Sequence, residues 1–170
     1  MKGDPEVLFA AEEIASRLDD LAREIAPRRP EIAVAILIGG FVFAADMVRA
    51  LARAGVHVEV EFLWLRSYGS ARAGGAVSLL AGPSENVRGK RVLLLDGVLD
   101  VGRTTAKAQQ LLDAAGAASI LTAVAVDKSR SDAIAQADFA AFTNVGDFIV
   151  GYGMDDAGKY RGLPYIGRVG

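Results

Sequence analysis

The sequence predicts an α/β protein: a parallel sheet flanked by helices on both faces. Two observations carry this. Runs that are apolar throughout, such as Ile32–Ile38, Val92–Leu95 and Ile120–Val126, read as strands buried on both sides. Between them lie segments with apolar residues at helical spacing, and strands alternating with helices build parallel sheets. At 170 residues, 52% hydrophobic and 24% charged, the chain has the size and composition of one globular domain. No repeat, low-complexity segment or linker divides it, so residues 1–170 are read as a single domain.

Taken in order, Ile14, Ala15, Leu18, Leu21, Ala22 and Ile25 form the apolar stripe of a first helix, with Arg17, Asp20 and Glu24 opposite. Pro27 and Pro30 close it. The strand Ile32–Ile38 ends in Gly39-Gly40, and Phe41–Ala54 reads as a helix that Gly55 terminates. His57–Arg66 is a strand in which Val58, Val60, Phe62 and Trp64 alternate with polar residues. The stretch "RSYGSARAGG", Arg66 to Gly75, has no periodicity and reads as a mobile loop. Ala76–Leu80 is a short strand, and Gly82-Pro83-Ser84 a turn. After the Val92–Leu95 strand comes a helix from about Arg103 to Ala115, stopped by Gly116. Beyond the Ile120–Val126 strand, Phe139–Phe142 and Phe148–Val150 are further short strands.

Several function classes drop out. A net charge of -2 gives no general attraction to nucleic acid or to an anionic membrane. There is no cysteine, which removes disulfides, thiolate catalysis and cysteine zinc sites and fits a reducing compartment. The longest apolar run, Ile32–Ala45, contains two glycines and falls short of the roughly 20 residues a membrane span needs. Asp4, Glu6, Glu12 and Glu13 are unlike a signal peptide. The expectation is a cytoplasmic protein.

Chemistry concentrates in "VLLLDGVLDVGRTT", Val92 to Thr105. Ligands of open α/β sheets collect outside the carboxyl ends of strands. Here Gly102 allows backbone N–H groups to approach closely, and the following helix points its positive end at the same place. With the Thr104 and Thr105 hydroxyls, this makes a phosphate site. Asp96 and Asp100 beside it suit the hydroxyls or the metal ion of a phosphorylated sugar. Helix capping by Asp100 or Thr104 is the plainer alternative. His57, the one histidine, has no partner and receives no chemistry.

The same stretch resembles the phosphoribosyl-pyrophosphate (PRPP) motif of the type I phosphoribosyltransferases. "DFIVGYGMDDAGKYRGLPYIGRV", Asp147 to Val169, resembles the C-terminal signature of their hypoxanthine/guanine branch. Ser67-Tyr68-Gly69-Ser70 matches the start of that branch's lid loop. "LIGGFVFAADM" is similar to its pyrophosphate segment, and "VDKSR" to the segment with its purine-reading lysine. The resemblance implies a type I fold with a small hood to which the N-terminal helix and C-terminal segment contribute. It implies a Mg²⁺-dependent purine salvage enzyme joining hypoxanthine or guanine to PRPP, giving IMP or GMP plus pyrophosphate. A homodimer or homotetramer is implied as well.

By the same resemblance, Asp100 is the general base/acid near purine N7. Val101, Gly102, Arg103, Thr104 and Thr105 hold the 5′-phosphate, and Asp96 a ribose hydroxyl. Ile38, Gly39 and Arg161 meet pyrophosphate, while Ser67 and Tyr68 tip the lid. Lys128 donates to the purine 6-oxo group, Phe148 stacks on the ring and Ile149 offers its backbone carbonyl. Asp155 lies at the base, and Asp96 and Asp155 are the Mg²⁺ carboxylates. Arg66, Arg72 and Arg130 are read as solvated surface.

Three positions depart from the family pattern. Gly97 replaces a second acidic residue, Val101 a hydroxylated one, and Ile38 a cation. They motivate an alternative function, a weak or inactive homologue that binds nucleotide as a sensor. Gly97 has two readings of its own: a lost ribose contact that Gly97→Asp would restore, or a turn with φ > 0 that requires glycine.

Overall fold

A computed structural model describes residues 4–67 and 76–169. The chain starts with β1 (Glu6–Phe9) and α1 (Ala11–Ile25), and the five apolar residues Ile14, Leu18, Leu21, Ala22 and Ile25 of α1 are buried. Pro27 lies in a short 3-10 turn, Ala26–Arg28, that ends this helix. Next come β2 (Ile32–Leu37), α2 (Phe41–Arg53), β3 (Glu59–Ser67), β4 (Val77–Ala81), β5 (Arg91–Leu99) and α3 (Arg103–Ala114). The strands β6 (Ser119–Asp127), β7 (Phe139–Thr143), β8 (Ile149–Val150) and β9 (Ile166–Arg168) complete it.

Six strands form one sheet in the order β4-β3-β2-β5-β6-β7. All neighbours are parallel except β4, which lies antiparallel on β3 at the edge. α1 and α2 cover one face, packing Ile14, Leu18, Phe43 and Met47 with Ala33, Ala35, Leu93 and Leu95. α3 covers the other, placing Ala108 and Leu112 with Ile32, Val34, Val92 and Leu94. Alternate residues of β2 and β5 therefore go to opposite cores, which is why these strands are apolar without a break.

The second sheet, β1-β9-β8, is antiparallel and forms the hood. One expectation changes here. The N-terminal contribution to the hood is β1, a strand ahead of the first helix, and α1 packs against the main sheet because its long apolar stripe needs that face. The short strand expected at Phe148–Val150 is β8, and it pairs with β9 within the hood. A second change bears on the site. β5 continues past its apolar run to Leu99, because β6 pairs with it up to Leu99↔Asp127. Asp96 and Gly97 are thus residues of the strand. No helix among the described residues is long and apolar enough to cross a membrane.

Candidate active site

Parallel pairing of β2, β5 and β6 brings three connections together at their carboxyl ends. β2 runs into Ile38-Gly39-Gly40, β5 into Asp100-Val101-Gly102, and β6 into Lys128. Gly102 has φ 89°, a left-handed conformation that favours glycine, and directly precedes α3. A Cβ there would also lie 2.9 Å from the Ala135 Cβ. The segment after β6 folds over this turn, with the Ile134 N–H donating to the Val101 carbonyl at 2.8 Å. The result is a turn at a helix N-terminus, shaped for an anion.

The two threonines of the first turn of α3 differ. Thr104 is half-buried, and its Oγ1 lies 3.4 Å from Oγ of Ser67 at the end of β3. Thr105 is 1% exposed. Arg103 is exposed. Of the lid residues, Ser67 ends β3, while Tyr68 and Ser70 lie outside the described residues.

Asp100 has two cationic neighbours. Lys128 Nζ lies 3.6 Å from Oδ2, and Arg130 Nη1 lies 3.3 Å from Oδ1. The Lys128 side chain is only 12% exposed, so its charge is held at this carboxylate. Arg130 also forms a two-pronged pair with Asp132, at 2.8 and 2.9 Å. Arg130 is exposed, as expected of solvated surface, and from there its guanidinium also reaches Asp100. No periodicity marks it; only its position two residues after Lys128, on the connection facing Asp100, does.

Asp96 is 8% exposed, and its Oδ1 accepts the Gly97 N–H at 2.7 Å. Burial pushes its carboxyl up to about 7, against a smaller opposing effect of that N–H bond. A buried carboxylate in this state suits a divalent cation, which supplies the positive charge its surroundings lack. Asp155 is more engaged, with Oδ1 2.8 Å from Arg161 Nη2 and Oδ2 accepting the Gly158 N–H at 2.7 Å. No cluster of three or more metal-binding side chains occurs among the described residues. The donor set fits Mg²⁺ in its usual manner, held by one or two carboxylates and otherwise by substrate oxygens and water.

The Asp96 environment predicts a pH effect on stability. With a folded-state pKa near 7, the folded protein keeps a proton that the unfolded chain releases near its ordinary value of about 4. Stability then falls as pH rises through that window, and the loss is complete above it. For the metal-free protein, the melting temperature of Asp96→Asn relative to native should rise steadily over the same interval. Parallel melting curves for the two proteins from pH 4 to 8 would remove this account of Asp96.

In the hood, Phe148 is half-buried and Ile149 buried, and the Phe148 carbonyl accepts the Val169 N–H at 3.2 Å. Arg161 donates through Nη1 to the Gly153 carbonyl at 2.7 Å as well as pairing with Asp155. Its expected partner, pyrophosphate, would thus have to draw it from existing contacts. Ile38 is 43% exposed at the mouth of the site.

Residues 3–157 match the model of the phosphoribosyl transferase domain. The chain belongs to that family. Within it, this phosphoribosyltransferase lies in the hypoxanthine/guanine branch. It is 35% identical to the hypoxanthine phosphoribosyltransferase of Escherichia coli K12, over 99% of this chain and 97% of the relative. It is 32% identical to the hypoxanthine-guanine phosphoribosyltransferase of Dictyostelium discoideum, over 96% and 94%. The structure of the Trypanosoma cruzi hypoxanthine phosphoribosyltransferase in complex with its product IMP superposes with a TM-score of 0.86 at 27% identity, covering 97% of this chain and 90% of that one.

Against the family pattern, Gly97 of this phosphoribosyltransferase needs a new explanation. It is not among the residues with positive φ, so the reading of a glycine-only turn fails. A Cβ at position 97 would nevertheless lie 2.7 Å from the Gly39 carbonyl oxygen. Space, not backbone conformation, excludes a side chain.

Proposed function

We propose that this phosphoribosyltransferase joins hypoxanthine or guanine to PRPP, forming the N9–C1′ bond as the C1′–O bond to pyrophosphate breaks. The products are IMP or GMP and pyrophosphate. One observation carries the reading: Asp100 and Lys128, each the first residue after one of two paired strands, meet at 3.6 Å beside the Gly102 turn. A proton acceptor and a fixed cation at that spacing can serve two neighbouring positions of an oxopurine.

In this reading Asp100 takes the purine proton at N7, and Lys128 donates to the 6-oxo group. Adenine, with a 6-amino donor, is disfavoured. Phe148 stacks on the ring, and the Ile149 carbonyl accepts from its edge. The turn Val101–Thr105 holds the 5′-phosphate through N–H groups and the Thr104 hydroxyl. Ile38 and Gly39 meet pyrophosphate through the backbone, with Arg161 as the cation. Asp96 and Asp155 would hold Mg²⁺, which supplies charge stabilisation of the departing pyrophosphate. The lid beginning at Ser67 and Tyr68 excludes water from a centre with oxocarbenium character. The experiment is direct: PRPP-dependent formation of IMP and GMP, monitored with and without Mg²⁺. Absence of both products with Mg²⁺ present rejects the proposal.

Cytoplasmic residence and assembly into a homodimer or homotetramer are parts of the same proposal. Assembly is supported by an apolar face that neither helix layer covers. Val60 is 47% exposed, Phe62 56% and Phe41 42% on neighbouring β3 and α2. Phe62→Glu is expected to shift the molar mass measured by light scattering toward the monomer, since a charge at a buried contact is costly. An unchanged mass would separate this face from assembly.

A further inference from the structure

Three glycines from separate parts of the chain meet around one carbonyl. The connection between β2 and α2 turns at Gly39 and Gly40, bringing the Gly39 carbonyl against β5. A Cβ on Gly97 would lie 2.7 Å from that oxygen and 3.3 Å from its carbon. A Cβ on Gly153, in the C-terminal segment, would lie 2.8 Å from the same oxygen. Gly40 is pressed onto the strand too, since its Cβ would stand 3.1 Å from both Asp96 Cα and the Leu95 carbonyl oxygen. Non-bonded carbons settle at about 3.5–4.0 Å, so these approaches leave no room for a methyl group. Every obstacle named is backbone, and no rotamer change relieves it.

The three glycines are not equivalent. Gly153 has φ 96° and would favour glycine wherever it stood. Gly97 has no such conformational reason, and its lack of a side chain serves only to admit the Gly39 carbonyl. Gly39 itself is open on its other side, where a Cβ would meet nothing within 4 Å. The loop thus lies flat on β5 with one side buried and one side free.

We infer that Gly97 is a positioning residue that seats the Ile38–Gly40 loop on β5 for binding the pyrophosphate end of the substrate. The inference rests on the proposed function for the identity of that ligand. Ile38 brings no charge and the Gly40 N–H already donates to the Ile36 carbonyl at 3.0 Å, so what this loop offers an anion is the backbone N–H groups of Ile38 and Gly39. Their direction is set by how the loop is seated. The glycine at 97 and the apolar residue at 38 are then two halves of one arrangement, in which a closely docked backbone replaces side-chain contacts.

The test compares Gly97→Ala and Gly97→Asp with the native protein. Both should raise the KM for PRPP and the Kd for Mg²⁺-pyrophosphate by about 10- to 100-fold, as misplacement of a binding element does. The KM for hypoxanthine should stay within about twofold, because the base is held by other elements. Hydrogen–deuterium exchange of Gly97→Ala should quicken in the peptide spanning 37–42 and remain native elsewhere. The inference is overturned if Gly97→Asp tightens PRPP, which would restore the lost-contact reading. It is equally overturned if Gly97→Ala fails to fold, or exchanges faster throughout with native pyrophosphate affinity. Titration and exchange need no turnover. Failure of the proposed function would appear as no IMP from the native protein, and failure of this inference as an unchanged loop.

Discussion

Asp100→Asn is expected to lower the rate of IMP formation by about 10²–10⁴-fold while leaving the melting temperature near native. The amide keeps the shape of the carboxylate but cannot accept the purine proton. The surroundings make the experiment sharper than the exchange alone suggests. Lys128 and Arg130 lie 3.6 and 3.3 Å from the two carboxylate oxygens, and the amide would face both cations without a countercharge. Arg130 retains Asp132 as a two-pronged partner, which limits the structural damage. Arg130 and Asp100 are partly exposed, so that pair contributes little to folding, whereas Lys128, 12% exposed, loses its partner and accounts for what small fall in melting temperature there is. The effect should therefore fall on kcat, with Kd for IMP changed far less. If the variant turns over at the native rate, Asp100 is a helix-preceding residue with no part in the chemistry.

The main sheet was legible because its strands are buried on both faces, which leaves a continuous apolar signature in β2, β5 and β6. The helices were equally legible, since each has one broad apolar stripe. What escaped was β1 and β9, the strands that complete the hood around β8. They are four and three residues long, and strands that short have no measurable period. β1 depends on pairing with residues more than a hundred positions away, such as Glu6 with Arg168. The continuation of β5 through Asp96 and Gly97 escaped for a related reason. A carboxylate and a glycine look like the end of a strand, and only the ladder to β6 carries them onward.

At the site, the sequence pointed to Asp100, Gly102 and Lys128, and the fold brings the first and last together. Resemblance supplied the proposed roles; physics of the sequence alone supplied only a phosphate-shaped turn. Three matters needed coordinates. Thr105 packs inward although it sits beside Thr104, because consecutive helix residues point about 100° apart. Arg130 joins Asp100 through a connection whose path no periodicity reveals. Gly97 is small because a distant carbonyl rests on it, a contact across fifty-odd residues of chain. Each is a fact of tertiary packing, invisible to local pattern.

The second large effect is expected at Lys128. In Lys128→Ala the charge-assisted hydrogen bond to the 6-oxo group is lost, a contribution of about 1.5–3 kcal/mol, or roughly 10- to 150-fold in affinity for hypoxanthine and guanine. PRPP should be affected much less, since its phosphate turn lies at the start of α3. The free structure adds a second consequence. Lys128 is 12% exposed and spends its charge on Asp100 until the base arrives. Removing it leaves Arg130 at that carboxylate, more exposed at 44% and already shared with Asp132. Asp100 is then positioned less firmly, and kcat should fall along with affinity for the base. Lys128→Arg separates the two roles: it keeps a cation near Asp100 but changes the fit to the 6-oxo group. It should therefore retain much of the native kcat while still losing affinity for the base. Equal losses for base and PRPP in Lys128→Ala, measured by separate titrations, would take Lys128 out of base recognition. A native kcat in that variant would take it out of the positioning of Asp100.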